Sequence, residues 1–183
     1  MKLIIGLGNP GEEYRKTRHN AGFIALDAFA KKEGLSWTIN KKFNAATAET
    51  SGVLLVKPLT YMNNSGQSAQ AVMAYYKLLP KTLGLLRRTD ADLSELLTVI
   101  HDDLDIPLGE YRISVDSRSA GHRGVESIIG HLKTKNFKRI RIGIKGGKPV
   151  EMPTEKYVLG RFNAQETEII NKLITEKILT ELA

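Results

Sequence analysis

Short apolar runs alternate with helical patterns along this chain, and this alternation limits its fold more than any other feature. LIIGL, from Leu3, and LLTVI, from Leu96, are apolar runs of strand length. Residues 21–32 and 66–79 have the composition and the end signals of helices. Because strands and helices interleave, we expect an α/β class: a single-domain three-layer fold with a mixed central β-sheet flanked by helices.

Further strands and helices are predicted along the rest of the chain. TAETSGVLLVKP predicts two strands around a tight turn, YRISV predicts a half-exposed strand, and KRIRIGI predicts a strand with its isoleucines inward and its basic side chains outward. Apolar residues at helical spacing predict helices over 125–132 and Ala164–Leu182. The charged stretch Pro80–Glu95 has neither pattern and is expected to be a surface segment. The length of 183 residues predicts one domain, 1–183.

The charge balance favours a polyanionic partner. Lys and Arg number 27 against 20 Asp and Glu, which gives a net charge of +7. There is no cysteine, so disulfides and cysteine-based metal sites are excluded. No apolar run approaches the ~18 residues of a membrane span, and the first residues do not resemble a signal peptide. We therefore expect a soluble, cytoplasmic protein that does not bind a membrane.

The opening GLGNPG matches the G-x-G-x-x-G pattern of dinucleotide-binding folds, but its context is unfavourable. The residues after Gly11 are EEYRKTRHN, which offer no apolar face to pack on a sheet. The acidic residue expected about 20 positions later at a second strand falls instead in or near the helix 21–32. We therefore interpret the segment as a loop at the carboxyl end of a strand, where it directs Asn9 into a cleft. Asn20 is expected to cap the following helix.

Polar segments that follow apolar strands or open a helix are expected to converge on this cleft. They are GNPGEEYRKTRHNAG, KPLTYMNNSG, HDDLDIPLG and SAGHRG, each interpreted as a loop. A His oriented by an Asp can act as a general base on water, and Asn amides can donate to a developing oxyanion. This set indicates direct hydrolysis of an activated acyl group, such as an ester. Two other interpretations stay open for these residues: ordinary turn and cap roles, or a metal site in HDDLD formed by His101 with three carboxylates.

Taken together, these segments resemble the bacterial peptidyl-tRNA hydrolase family. IGLGNPGEEYRKTRHNAG, KPLTYMNNSGQSAQAV, HDDLDIPLG, GHRGVESI, RIRIGI and YVLGRF occur in that family's order and at similar separations, over about residues 2–165. The resemblance implies hydrolysis of the ester that joins a peptide to the 3′ ribose of tRNA, which recycles tRNAs from aborted translation. It further implies a monomer that needs no metal and no cofactor, with peptidyl-tRNA as its partner.

The resemblance also assigns roles to single residues. His19 matches the general base, and Asp102 matches the residue that holds it in the basic tautomer. Asn9 matches the residue that helps to distinguish an N-blocked aminoacyl group from a free one. Substrate contacts are implied for the matching positions Tyr14, Tyr61, Met62, Asn63 and Arg141, with Arg141 as one of a basic pair that grips a tRNA phosphate.

Two departures from the family pattern bear on the substrate. Arg123 stands where the family usually has Asn; it cannot accept a hydrogen bond, and it is expected to hold a phosphate or the ester carbonyl. Ser114 stands at the second basic position of the pair, for which Arg112 on the same strand is a substitute. Arg123 also motivates an alternative, a non-catalytic RNA-binding member of the family. A metal-dependent phosphoesterase or a nucleotide-dependent enzyme is the third hypothesis.

Overall fold

The computed structural model describes residues 1–79 and 90–182. Within these ranges, seven strands form one sheet in the order β2-β3-β4-β1-β5-β7-β6. The strands are β1 (Lys2–Gly6), β2 (Thr38–Asn40), β3 (Ala45–Thr50), β4 (Val53–Pro58), β5 (Leu97–Pro107), β6 (Tyr111–Ser114) and β7 (Lys138–Lys145). The pair predicted from TAETSGVLLVKP is confirmed as β3 and β4, and YRISV is confirmed as β6.

The helices in the described part of the chain are α1 (Ala21–Lys32), α2 (Ser65–Tyr75), α3 (Arg123–Leu132), α4 (Thr154–Val158), α5 (Ala164–Leu173) and α6 (Leu179–Leu182). Three-residue 3₁₀ turns precede α1 and α2, at Arg18–Asn20 and Met62–Asn64. A π-helical turn, Ile174–Ile178, joins α5 to α6, so the predicted terminal helix is present with a wider turn in its middle. No helix within the described ranges has the length and the apolar content of a membrane span.

The sheet is mixed, and helices cover both of its faces. β4, β1, β5 and β7 are parallel neighbours, while β2, β3 and β6 pair antiparallel to the strands beside them. One apolar cluster packs α1, α5 and α6 against one face, and a second packs α2 and α3 against the other. The predicted three-layer α/β fold is therefore confirmed.

The glycines of the opening motif serve helix packing. A Cβ on Gly6 would lie 2.5 Å from the carbonyl oxygen of Gly22, and a Cβ on Gly8 would lie 2.6 Å from the ring of Phe23. Both distances are far below van der Waals contact, so only glycine lets α1 lie this close to the end of β1. This close approach accounts for the first two glycines of the motif without a nucleotide.

The prediction that HDDLDIPLG is a loop was wrong. The segment continues β5 through Pro107, with Asp102 and Asp103 paired in register with Ile142 and Gly143 of β7. β1 ends at Gly6, opposite Ile100, so β5 extends past its neighbour and exposes one edge there. Polar residues remain in a strand here because β7 still satisfies the backbone, and the free edge faces the turn that carries His19.

Two smaller predictions also differ from the structure. Arg139 was expected to point outward, but it is 2% exposed, because its guanidinium donates to Arg118 O and Ser117 Oγ beneath the segment that precedes α3. The helix predicted over 66–79 ends at Tyr75, since Lys77 adopts a left-handed φ of 56°.

The stretch Pro80–Glu95, expected to be a surface segment, is described only in part. Residues 80–89 lie outside the described ranges. In the described remainder, Ala91 and Leu93 are buried, so the surface prediction is wrong for them. Ala91 O accepts a hydrogen bond from Thr134 Oγ1, and Leu93 N donates to Asn136 O, which ties this segment to the residues before β7.

Candidate active site

The polar segments predicted to converge do so at the carboxyl ends of the parallel strands. Asn9 follows β1, Tyr61 to Asn63 follow β4, and Asp102 lies within the extended end of β5. These ends border a cleft of about 590 Å³. Of the predicted site residues, the cleft is lined by Asn9, His19, Tyr61, Met62, Asn63, Asp102 and Arg123, whereas Tyr14 and Arg141 lie outside its lining.

His19 and Asp102, 83 positions apart in sequence, are hydrogen-bonded. The distance from His19 Nδ1 to Asp102 Oδ1 is 2.9 Å, and the side chains are 13% and 2% exposed. Because a carboxylate only accepts, Nδ1 carries the proton, and Nε2 is left with a lone pair. In this tautomer, His19 has the form that a general base requires.

Asp102 is held ionised by two histidines. Burial raises the pKa of Asp102, but the electrostatic interactions and hydrogen bonds with His19 and His122 outweigh burial and hold that pKa well below its usual value. His122 Nε2 lies 3.0 Å from the same Oδ1 atom. The carboxylate therefore has two partners on one oxygen, which fixes its position from two sides.

His122 is a site residue that the sequence reasoning did not assign. Its Nδ1 accepts a hydrogen bond from Val125 N at 3.3 Å, so it is the residue that caps α3. An accepting Nδ1 leaves the proton on Nε2, which donates to Asp102. The signal available in the sequence was the position of a His directly before the apolar stripe of α3, where an N-cap is expected.

The sequence suggested that the Asn20 side chain caps α1. In the structure it makes no capping hydrogen bond and instead holds Asn9. Asn20 Oδ1 accepts from Asn9 N at 2.9 Å, and Asn20 Nδ2 donates to Asn9 O at 3.0 Å. Asn9 Oδ1 in turn accepts from Met62 N at 2.8 Å. Because Met62 N donates to Oδ1, the orientation of the Asn9 side-chain amide is fixed. Its Nδ2 group is the side-chain donor that remains.

The cleft has a buried inner wall and an exposed outer rim. We define the inner wall as Asn9, His19, Met62, Asp102 and His122, which are all buried or half-buried. We define the outer rim as Tyr61, Asn63, Arg123 and Glu155, which are all exposed. The hydrogen bonds described above all belong to the inner wall.

The rim holds its side chains by weaker contacts. Arg123 Nη1 lies 3.9 Å from Glu155 Oε1, with the two side chains 62% and 68% exposed. The ring of Tyr61 meets the ring of Tyr14 edge-on, with centroids 6.4 Å apart. Tyr61 has a φ of 59°, a strained value for a residue other than glycine.

The basic residues of β6 and β7 form a separate face. Arg112 and Arg141 are direct partners in the antiparallel pair, so both side chains lie on the same face of the sheet. Arg141 Nε also donates to Asp103 Oδ2 at 2.8 Å, and Asp103 lines the cleft. This contact connects the basic face to the floor of the cleft.

Proteins of known identity that are similar to this chain show its family. The model of the peptidyl-tRNA hydrolase family matches residues 3–182. The chain belongs to the peptidyl-tRNA hydrolase family. A peptidyl-tRNA hydrolase of Bacillus cytotoxicus is 44% identical over 177 residues, covering 95% of this chain and 87% of that protein. One of Gloeobacter violaceus is 42% identical over 172 residues, covering 92% of this chain and 79% of that protein.

Solved structures of the family have the same fold. The crystal structure of peptidyl-tRNA hydrolase from Acinetobacter baumannii superposes with a TM-score of 0.83 at 33% identity, covering 100% of this chain and 86% of that one. Both the likeness in sequence and the likeness in structure extend over nearly the whole chain, so they cover every element that borders the cleft.

Within the described ranges, the side chains of HDDLD do not come together as a group of metal ligands. Within residues 1–79 and 90–182, the one group of ligand-type side chains close enough to share an ion is His19, Asp102 and His122, whose ligand atoms lie within 4.8 Å of one another. His101, Asp103 and Asp105 are not part of it. His122 is unsuited as a ligand in this group, because its Nε2 carries the proton while Nδ1 accepts from Val125.

His101 instead supports the inner wall from below. It is 1% exposed, and its Nδ1 donates to Asp102 O at 2.7 Å. Its ring packs against the ring of His122, with centroids 4.7 Å apart. Burial is the main cause that lowers the pKa of His101 well below its usual value, and the electrostatic interaction with His122 adds to it, so this imidazole stays neutral.

Proposed function

We propose that this protein hydrolyses the ester between a peptide and the 3′ ribose of tRNA, with His19 as the general base. The observation that carries the proposal is the His19 Nδ1 to Asp102 Oδ1 hydrogen bond of 2.9 Å, located in the cleft where the family's motifs meet. Family membership over residues 3–182 supports the reaction class, an ester hydrolase that acts on peptidyl-tRNA.

The reaction proceeds without a covalent intermediate. His19 Nε2 takes a proton from a water molecule, and the resulting hydroxide attacks the ester carbonyl. The tetrahedral intermediate then collapses, the C–O bond to the ribose breaks, and His19 returns its proton to the leaving 3′ oxygen. Asp102 stabilises the imidazolium that exists between the two proton transfers.

The Asn side chains and the rim position the acyl group. Asn9 Nδ2 donates to the acyl group of the N-blocked aminoacyl end. Its orientation is fixed because Met62 N donates to Asn9 Oδ1. Asn63, on the rim, is the second amide donor. One oxyanion donor is typically worth about 3–4 kcal/mol in a transition state. Tyr14, Tyr61 and Met62 contact the acceptor end and the peptide, and Arg123 donates to a phosphate or to the ester carbonyl.

The basic face grips the RNA. Arg141 and its cross-strand partner Arg112 contact a backbone phosphate. Arg112 serves as the second basic residue of the pair, which the family pattern places at position 114, here Ser114. The net charge of +7 adds a sequence-independent attraction that weakens steeply with salt. Recognition of shape and backbone suits an enzyme that has to serve every tRNA.

We further propose that residues 1–183 form one domain, that the protein is a cytoplasmic monomer, and that hydrolysis needs no metal. In the hydrogen-bonded set His19, Asp102 and His122, the nitrogens that face Asp102 carry protons, which supports the metal-free reaction. The non-catalytic RNA-binding alternative has Arg123 in its favour, but it gives no role to the hydrogen-bonded pair of His19 and Asp102.

The proposal is tested by hydrolysis of diacetyl-lysyl-tRNA in the presence of EDTA, with unblocked lysyl-tRNA as the matched control. We expect release of diacetyl-lysine and little release of lysine. Binding of tRNA without turnover would favour the RNA-binding alternative. Loss of turnover on EDTA addition, restored by a divalent metal, would favour a metal-dependent enzyme.

A further inference from the structure

The motif YVLGRF, at 157–162, lies against the chain segment that leads into His19. Arg18 N donates to Gly160 O at 3.0 Å, and Phe162 N donates to Lys16 O at 3.0 Å. Thr17 and Arg161 form an antiparallel bridge between these hydrogen bonds. The motif therefore forms a short two-stranded contact with the residues directly before the proposed base.

Arg18 fastens this contact through its side chain. Arg18 Nη2 donates to both carboxylate oxygens of Glu166 at 2.8 Å, and Nη1 donates to Arg161 O at 3.1 Å. The guanidinium carbon lies 4.4 Å from the ring centroid of Tyr157. The side chains of Arg18 and Glu166 are only 12% and 13% exposed, so this ion pair is mostly shielded from water.

The turn that carries His19 is short and holds two residues of the site. It is a 3₁₀ turn of three residues, Arg18–Asn20, and its first flanking residue, Thr17, makes no side-chain capping hydrogen bond. The middle residue of the turn carries the imidazole that has to meet Asp102, and the last one holds Asn9. A displacement of about 1 Å in a reacting group can cost about 100-fold in rate.

We propose that Arg18, clamped by Glu166, is a positioning residue that sets the place of the His19 imidazole relative to Asp102. Arg18 acts through the backbone of its own turn, and its side chain contacts Glu166 of α5 instead of lining the cleft. This inference rests on the proposed role of His19. It also gives the motif YVLGRF a function in the reaction, as the brace for that turn.

Glu166 offers a matched pair of variants. Glu166 Oε2 accepts from Asn163 N at 2.8 Å, and Asn163 Oδ1 accepts from Glu166 N at 2.9 Å, which together form the capping box of α5. Glu166→Gln keeps an oxygen for the cap but loses the two-oxygen ion pair with Arg18. Asn163→Ala removes the cap and leaves that ion pair in place.

The experiment measures kcat, KM and the thermal midpoint on diacetyl-lysyl-tRNA, and the solvent exchange of the His19 Nδ1 proton by NMR of protein labelled with ¹⁵N-histidine. We expect Glu166→Gln to lower kcat about tenfold or more with KM within about twofold, and to speed exchange of that proton. We expect Asn163→Ala to lower the thermal midpoint while kcat and the proton exchange stay within about twofold of wild type. Arg18→Lys, which keeps the charge but not the planar fork, should give an intermediate kcat.

A kcat that stays at the wild-type value in Glu166→Gln, with unchanged proton exchange, would overturn the inference. The same conclusion would follow if both variants lowered kcat in proportion to their thermal midpoints, because the ion pair would then contribute only to stability. If the wild-type protein does not hydrolyse the substrate, the proposed function fails, and the proton exchange in Glu166→Gln still decides whether Arg18 positions His19.

Discussion

The inner wall and the outer rim of the cleft lie side by side but are constructed differently. In the inner wall, Asp102 is fixed by two histidines, and Asn9 is held by Asn20 and Met62. In the rim, the contact of Arg123 with Glu155 is a long ion pair between exposed side chains, a type that contributes little to stability. Arg123, where the sequence resemblance leads us to expect Asn, lies in the rim.

The difference separates two tasks. The proton transfer needs groups held within a fraction of an ångström, and burial with hydrogen bonds supplies that. Substrates with any peptide and any tRNA need a surface that tolerates variety, and exposed side chains supply that. Substitutions in the wall should therefore act on kcat, whereas substitutions in the rim should act mainly on KM and on the salt dependence.

The largest expected effect is that of His19→Ala. Removal of the proposed base should lower kcat by about 10²–10⁴-fold, because general-base catalysis is typically worth that much. Affinity for deacylated tRNA should stay within about twofold, since the basic face of β6 and β7 is untouched. Single-turnover hydrolysis and filter binding measure the two quantities. Activity within tenfold of wild type would mean that His19 is not the general base.

A second prediction concerns the buried support beneath the wall. The pKa of His101 is lowered in the folded protein by burial, whereas its unfolded value is about 6.5. Above pH ~6.5 the ring is neutral in both states. As the pH falls below that value, only the unfolded chain takes up the proton, so the free energy of unfolding decreases by up to about 1.4 kcal/mol per pH unit.

Urea unfolding of wild type and of His101→Leu between pH 7 and pH 5.5 measures this slope. The variant is expected to have a lower free energy of unfolding at pH 7 and a shallower decrease toward pH 5.5. Equal slopes in the two proteins would mean that His101 is not the neutral, buried support described for the wall.

The smallest expected effect is that of Arg123→Asn, which introduces at the rim the residue expected from the sequence resemblance. The exposed Arg123 and Glu155 contact is worth about 0–1 kcal/mol, so stability should hardly change. We expect kcat to change by less than about fivefold and KM to become less sensitive to salt. Glu155→Gln is the matched control for loss of the ion pair alone. A 100-fold loss of kcat in Arg123→Asn would mean that Arg123 takes part in the chemical step, as we propose for the inner wall, and would contradict this prediction.

The sequence predicts the strands and helices well where periodicity is clear, as in β1, β3, β4, α1 and α3. HDDLDIPLG was assigned to a loop because a run of polar residues normally indicates one. The segment stays extended because it pairs with β7, and local sequence does not show a contact between residues so far apart. Arg139 fails for a similar reason, since the carbonyl and hydroxyl that accept its protons come from a segment earlier in the chain.

The site was predictable to the extent that the family's motifs name its residues. His19, Asp102 and Asn9 were assigned from the motifs, and they do lie together at the cleft. The second partner of Asp102, His122, and the tie between Asn20 and Asn9 were not predicted. Both depend on which nitrogen or oxygen of a side chain faces which neighbour, and spacing along the sequence carries no such information.

The most direct test of the central claim is the tautomer of His19, measured by ¹⁵N NMR of histidine-labelled protein in the neutral form of the ring. We predict a proton on Nδ1 and a free lone pair on Nε2, with the opposite tautomer favoured in Asp102→Asn, whose amide can donate to Nδ1. A wild-type His19 with its proton on Nε2 would contradict the account, because no base would then face the substrate.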